Sequence, residues 1–193
     1  MAIGLLTMTI YVYKLLQGPV FEAHAFIHAF DAPMFLLLTV GLTGIYLRQK
    51  NRFGKLGKTG FFLAFTGFGL AFLASIAVIV VGVTVSDEAT LGVLDAIAHP
   101  LPMLLYAAGS LLFGVATYQS GLLSRGAAVM VAAGPTLFFA TIMGGLQDWQ
   151  PLIPTLVTGL GWAWLGYSAL SAREPSRGGL EAEGGIGVEP AVR

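Results

Sequence analysis

The residues with the clearest capacity for chemistry are the three histidines of the chain and the carboxylates close to them. In the stretch HAFIHAFDAP, His24 and His28 are four residues apart, and Asp31 follows three residues later. Asp95 and His99 have the same four-residue spacing in DAIAHPLPM. Residues three or four apart share one face of a helix, so each set would present its polar groups together. Imidazole with carboxylate suits Zn, Cu, Ni or non-haem Fe. The candidate metal ligands are therefore His24, His28, Asp31, Asp95 and His99.

The same residues allow two other interpretations. If His28 and His99 face each other, they have the pattern of axial ligands to a b-type haem. Alternatively, the histidine segments are short amphipathic helices that lie among lipid headgroups and turn their polar residues toward water. In that case Asp31 caps a membrane-spanning helix that begins at Ala32 and Pro33. The sequence leaves these alternatives open.

The composition indicates that lipid is the main solvent of this chain. Of its 193 residues, 56% are hydrophobic and only 10% are charged. An ordinary soluble domain is about 25% charged, so this chain has too few charges to cover a surface in water. It contains no cysteine, which excludes disulfides, thiolate metal sites and a cysteine nucleophile.

The apolar segments predict an all-α, polytopic bundle of transmembrane helices. A helix needs roughly 20 mainly apolar residues to cross the hydrocarbon layer. Residues 2–20 form a weaker sixth candidate, because Lys14 interrupts them and Gly18-Pro19 ends them. We therefore expect six spans, or five if residues 2–20 do not cross. The five firm stretches are Pro33 to Leu47, Gly60 to Val85, Leu101 to Gln119, Gly126 to Leu146 and Leu152 to Ser171.

The basic residues predict how the bundle is oriented. Five of them fall in the loop 48–58, Arg125 follows the fourth span, and Arg173 and Arg177 follow the last. By the positive-inside rule these segments are cytoplasmic. The loop 48–58 and the C-terminus are thus predicted to lie in the cytoplasm, and the protein in the inner or plasma membrane. The histidines and the acidic residues before the tail then lie on the outer side.

Two domains of different character are expected. Residues 1–172 would form the helix bundle, and residues 173–193, rich in Glu, Gly, Pro and Arg, a flexible cytoplasmic tail. Within the bundle, residues 24–86 resemble residues 91–147. Both contain a Pro-Met span, a short basic loop with glycine, and a second glycine-containing span. This pattern predicts two related helical hairpins.

Small residues predict where the helices pack. In lipid there is no hydrophobic driving force for helices to associate, so close contact between their backbones must stabilise the bundle instead. Gly67, Ala71 and Ser75 form one such stripe along the third predicted span. In the last span, Trp162 and Trp164 lie on opposite sides of a helix, so at least one is expected to pack against protein.

The sequence excludes several classes of function. The five firm spans contain no Asp, Glu, Lys or Arg, which argues against an ion-coupled pathway at the midplane. The zincin, nucleophile-elbow and phosphate-loop motifs are absent, so no catalytic residue is predicted.

The first hypothesis is a non-enzymatic accessory, scaffolding or lipid-interacting subunit. The alternatives are a redox protein that binds haem or a transition metal through the outer histidines, and a small-solute permease or channel. The expected partners are membrane lipids and other membrane subunits, and no nucleic acid.

Two further stretches carry a resemblance. GIYLRQKNRFGKLG, before a glycine-rich span, and LGWAWLGYSAL, near the end, resemble a loose group of small multi-pass prokaryotic membrane proteins of uncharacterised function. The resemblance covers about residues 31–169. It implies a bundle of several helices with the Arg48-Gln49 pair at the inner end of a span, and it implies no catalytic residues.

Overall fold

The computed structural model describes residues 24–84, 88–143 and 152–171. These ranges contain helices and no strand, which confirms the all-α class. Residues 2–20 and the tail 173–193, for which a first span and a flexible segment were predicted, lie outside the described residues. The helices are α1 (His24–Gln49), α2 (Lys55–Thr84), α3 (Glu88–Ala98), α4 (Pro100–Ser120), α5 (Arg125–Met143) and α6 (Leu152–Ser171).

Within the described ranges, three helical stretches are long and apolar enough to cross a membrane: His28–Gln49, Lys55–Gly82 and Ala89–Ser120. The 30 residues of α2 extend about 45 Å, more than the thickness of the hydrocarbon core. Large apolar side chains such as Val40, Phe62 and Leu170 are exposed on the outside of the bundle. Contiguous apolar exposure of this kind fits a lipid environment and does not fit water.

The first helix differs from one of the interpretations of the sequence. α1 is continuous from His24 to Gln49, with Pro33 inside it, so the idea that Asp31 caps a helix starting at Ala32 and Pro33 is wrong. Proline lacks an N–H and leaves a carbonyl one turn earlier without its helical partner, but neighbouring helices make such a site tolerable in membranes. His28 and Asp31 therefore belong to the same helix as the apolar segment that follows.

Glycines bring α2 and α4 into direct backbone contact. A Cβ added at Gly67 would meet the backbone of Tyr106, and one added at Gly109 would meet the backbone of Ala64. The stripe predicted from Gly67 does lie in a helix interface, together with the buried Ala71. Because both glycines are needed for this approach, they fix the position of α4 against α2.

Glycines also allow the later helices to pack closely against each other. Gly114 of α4 packs against Ala132 of α5, and Gly134 of α5 packs against Thr158 of α6. α1 packs against α2, and α4 against α5, as consecutive helices. Whether these pairs are two copies of one ancestral hairpin stays a prediction.

An aromatic core lies where α2, α4 and α6 meet. Phe68 and Phe113 are fully buried, and their rings lie 5.9 and 6.2 Å from that of Trp162. Trp162 is 7% exposed, whereas Trp164 is 48% exposed. This confirms that one of the two tryptophans packs against protein.

Candidate metal centre

The site is formed by the first turns of α1 and by the junction between α3 and α4. α3 ends at Ala98, and Pro100 begins α4. Because prolines at 100 and 102 lack N–H groups, the regular helical hydrogen bonding is interrupted there. The backbone nevertheless keeps helical geometry, since the N–H of His99 donates to the carbonyl of Asp95 at 3.2 Å. Asp95 and His99 are thus held on one face, toward His28 of α1.

A single carboxylate oxygen lies between two imidazole rings. Asp95 Oδ1 is 3.1 Å from Nε2 of His28 and 2.7 Å from Nδ1 of His99. The two rings stack, with their centroids 4.9 Å apart and their planes 20° apart. On the other side of His28, Nδ1 lies 3.5 Å from Oδ2 of Asp31. Two helices, α1 and α3, and the residue that joins α3 to α4 therefore contribute to one compact polar cluster.

These close contacts leave some polar atoms of the cluster without a hydrogen-bond partner. The His28 side chain is 6% exposed and that of His99 12% exposed. Asp95 Oδ1 lies within ion-pair distance of both rings. Apart from these contacts, His28 Nδ1 and His99 Nε2 are buried without a hydrogen-bond partner. Such groups are costly to bury unpaired, which points to an additional species at the site.

The donor set fits a divalent transition-metal ion. One ligand atom each from His28, Asp95 and His99 lies within 4.8 Å of the others. Zn–N bonds of 2.0–2.1 Å in a tetrahedral site place ligands roughly 3.3 Å apart, so small side-chain rotations would bring the three atoms onto one ion. Two imidazoles and one carboxylate also form the ligand set of non-haem iron sites with open positions. Asp31 beside His28 Nδ1 has the place of a group that orients a ligating histidine.

The geometry does not suit a haem. Axial histidines lie on opposite faces of the macrocycle and point their nitrogens at each other through the iron. The rings of His28 and His99 are stacked face to face at 4.9 Å, with a carboxylate oxygen in contact with both. A porphyrin between them would require these contacts to be broken and the rings to be reoriented.

The structure brings together three of the five candidate ligands and places a fourth beside them. His28, Asp95 and His99 converge, and Asp31 contacts His28 from one turn along α1. His24 begins α1, but its side chain lies outside what the structure describes. The repeat predicts that the two histidine segments meet, and in the structure they do.

A polar contact at the opposite end of the bundle was not predicted from the sequence. Gln49, the last residue of α1, is fully buried. The Ser120 hydroxyl lies 2.9 Å from the side-chain carbonyl oxygen of Gln49 and 2.8 Å from the backbone carbonyl of Thr117, and its single hydrogen donates to one of the two at a time. The amide nitrogen of Gln49 has no partner. Gln49 was named only within the Arg48-Gln49 pair of the resemblance. A lone glutamine at a helix end carries no signal of which helix it will contact.

Comparison with known proteins adds no relative. No protein-family model, no curated protein and no solved structure matches this chain. The class of protein is therefore defined by the fold and the site alone: an all-α bundle with membrane-spanning character and a cluster of two largely buried histidines and a partly exposed carboxylate.

Proposed function

We propose that this is a six-span membrane protein that binds a divalent transition-metal ion on the outer side of the membrane through His28, Asp95 and His99. The observation that carries the proposal is the convergence of three ligand-type side chains, with His28 Nδ1 and His99 Nε2 buried without a hydrogen-bond partner. The outer location rests on the positive-inside rule, since the basic loop follows the opposite end of α1.

Metal binding by the purified full-length protein tests this proposal. The protein is stripped with a chelator, and binding of Zn²⁺ and Fe²⁺ is measured by competition with a chromophoric chelator and by elemental analysis. We expect one ion per chain. His28→Ala, Asp95→Ala and His99→Ala each remove a direct ligand and are expected to weaken binding about 100-fold or more.

Two further variants distinguish residues that bind the ion directly from residues that only lie near it or on the same side of the membrane. Asp31→Asn removes the carboxylate beside His28 and is expected to weaken binding about 10- to 100-fold, the range for groups that orient a ligand. Asp148→Ala removes a carboxylate predicted to lie on the same side of the membrane and should leave affinity unchanged. Circular dichroism and gel filtration show whether each variant is folded. Equal Zn²⁺ binding by the His28→Ala/His99→Ala double variant, or a haem absorption band in the native protein, would contradict the assignment.

The other two functions stay predictions from the sequence. An accessory or scaffolding role is compatible with a structural metal ion and has no separate support among the described residues. A permease needs a polar path to the middle of the bundle. The cavity that reaches Trp162 among the described residues is instead walled mainly by apolar side chains, which gives a permease no support.

A further inference from the structure

A buried serine lies close to the metal cluster, on a helix that contributes no ligand to it. Ser75 of α2 is fully buried, and its hydroxyl oxygen has no hydrogen-bond partner. Serine and threonine hydroxyls in helices can donate to the carbonyl oxygen four residues earlier. Thr39 and Thr158 do so here, at 2.8 and 2.7 Å. The Ser75 hydroxyl does not make this bond, so its possible partners lie on other helices.

The position of Ser75 follows from the contacts of Phe68, seven residues earlier on α2. The Phe68 ring lies 6.4 Å from that of Phe35 on α1 and 5.1 Å from that of Tyr106 on α4. Seven residues make almost two helical turns, so a residue seven positions along lies on nearly the same face, about 10 Å further along the axis. Ser75 therefore faces α1 and α4, one such step beyond Phe68.

The same step, taken from the two aromatic partners of Phe68, reaches the two histidines. His28 is seven residues before Phe35, and His99 is seven residues before Tyr106. The step continues across the junction of α3 and α4, because the backbone of His99 is helical, with φ −94° and ψ −27°. The stacked histidine rings, 4.9 Å apart, show that the step holds for α1 and α4 together.

The close contact between α2 and α4 gives the same alignment. A Cβ added at Gly67 would meet the backbone of Tyr106, and a glycine nearer the start of α2 meets a residue nearer the end of α4, so the two helices are antiparallel. Eight residues from this contact, toward the metal cluster, lie Ser75 on α2 and Ala98, the neighbour of His99, on the opposite helix. Ring contacts and glycine contacts therefore agree in placing Ser75 opposite His99.

The chemistry of a metal-bound imidazole gives this position a role. His99 Nδ1 lies 2.7 Å from Asp95 Oδ1, so Nδ1 is the nitrogen that would share an ion with that carboxylate. A neutral imidazole that binds a metal through one nitrogen carries its proton on the other, and this N–H ordinarily donates to an oxygen that fixes the ring. His99 Nε2 is buried without a hydrogen-bond partner. It would therefore need an acceptor when the ion is bound.

We infer that Ser75 is the positioning residue of His99: its hydroxyl oxygen accepts a hydrogen bond from Nε2–H and holds the ring with Nδ1 toward the ion. Asp31 has the corresponding place beside His28. The inference rests on the metal site proposed above. It gives α2 a part in a centre whose ligands come from α1, α3 and the junction of α3 with α4.

Zn²⁺ affinity and thermal stability of the full-length protein separate this role from simple packing. Ser75→Ala should weaken Zn²⁺ binding about 10- to 100-fold. It should leave the melting temperature of the metal-free protein unchanged or higher, because it removes a buried hydroxyl without a partner. Ser110→Ala is the matched control, since Ser110 of α4 is also fully buried with an unpaired hydroxyl but lies three helical turns from His99. It should leave affinity unchanged. If wild-type protein and Ser75→Ala bound Zn²⁺ equally well, the role of Ser75 would be wrong and the metal site would stand.

Double variants show through which residue Ser75 acts. In a His99→Ala background, Ser75→Ala should have no further effect on Zn²⁺ affinity, because the ring that it positions is gone. In an Asp31→Asn background it should weaken binding by the same 10- to 100-fold as in the wild-type protein. An undiminished effect in the His99→Ala background would show that Ser75 acts through packing, and would overturn the inference.

A metal-free measurement decides whether the two residues are in contact even if the wild-type protein binds no Zn²⁺, a result that would contradict the proposed function itself. In protein labelled with ¹⁵N-histidine, the Nε2 signal of His99 is identified by its loss in His99→Ala. Ser75→Ala should shift this NMR signal, and Ser110→Ala should not. An unchanged signal in Ser75→Ala would show that the hydroxyl does not contact His99.

Discussion

The chemistry of the metal cluster depends on Asp95, because one of its oxygens contacts both histidines. The carboxylate lies 2.7 and 3.1 Å from the two ring nitrogens and balances the charge of a protonated imidazole when no metal is bound. With a metal ion bound, the same oxygen is a ligand and both rings must be neutral. Protons and metal ions therefore compete for the two imidazoles.

This competition predicts a steep pH dependence of metal affinity. A ligating imidazole must be neutral, so under conditions where both imidazoles carry a proton the affinity for Zn²⁺ rises by up to about 100-fold per pH unit. With His99→Ala only one imidazole is left, and the slope should fall to about tenfold per unit. Chelator competition from pH 5 to pH 7.5 measures both slopes. Equal slopes for the two proteins would show that His99 does not bind the ion.

Gln49 is a second residue whose environment predicts a measurable effect. Its side-chain carbonyl shares the hydroxyl hydrogen of Ser120 with the backbone carbonyl of Thr117, while its amide nitrogen is buried unpaired. Replacement by methionine, which has nearly the same shape, loses a bond of about 1 kcal/mol but removes a buried donor that costs about 1–3 kcal/mol. Gln49→Met should therefore leave the free energy of unfolding unchanged or raise it. Ser120→Ala should lower it by about 0.5–1.5 kcal/mol. Denaturation in mixed micelles gives both values, and a large loss in Gln49→Met would show that the amide nitrogen has a partner.

Among the helices, contact between α2 and α4 depends on glycine at a few positions. At Gly67 an added methyl group would meet the backbone of Tyr106 and the carbonyl of Pro102. Backbone cannot move aside as a flexible side chain can, so the two helices would have to separate. The junction of α3 and α4 carries His99, and displacement of α4 would therefore also move a metal ligand.

The prediction at this level compares two glycines of one helix. Gly67→Ala should lower the free energy of unfolding by about 1–3 kcal/mol through overpacking, and should weaken Zn²⁺ binding by displacing His99. Gly69→Ala, where a Cβ meets nothing within 4 Å, should be neutral or stabilising by up to about 1 kcal/mol because alanine is the better helix former. Thermal unfolding in detergent and chelator competition measure the two effects. Equal stability of the two variants would contradict close packing of α2 against α4.

At the scale of the whole molecule, the structural features that follow from local sequence pattern could be predicted from the sequence. The features that depend on tertiary contacts could not. Apolar length predicted the helical class, and the spacing of Asp95 and His99 predicted that they share a face. Pro33 was misleading, because proline favours a helix start, whereas α1 continues through it. The contact between Gln49 and Ser120 joins residues 71 positions apart, and no periodicity marks it. The cavity beside Trp162 likewise exists only because five helices meet around it.

The orientation of the molecule is the remaining prediction, and the lack of cysteine makes it directly testable. Single cysteines are introduced as Asn51→Cys in the basic loop, Asp148→Cys before the last helix, and Ala2→Cys. A membrane-impermeant maleimide should label Asp148→Cys in intact cells, and should label Asn51→Cys and Ala2→Cys only after the membrane is opened. Labelling of Ala2→Cys from outside would instead indicate five spans. Labelling of Asn51→Cys from outside would show that the whole bundle has the opposite orientation in the membrane. Because Asn51 follows the end of α1 opposite to His28, that result would place the metal cluster on the cytoplasmic side and contradict its proposed position.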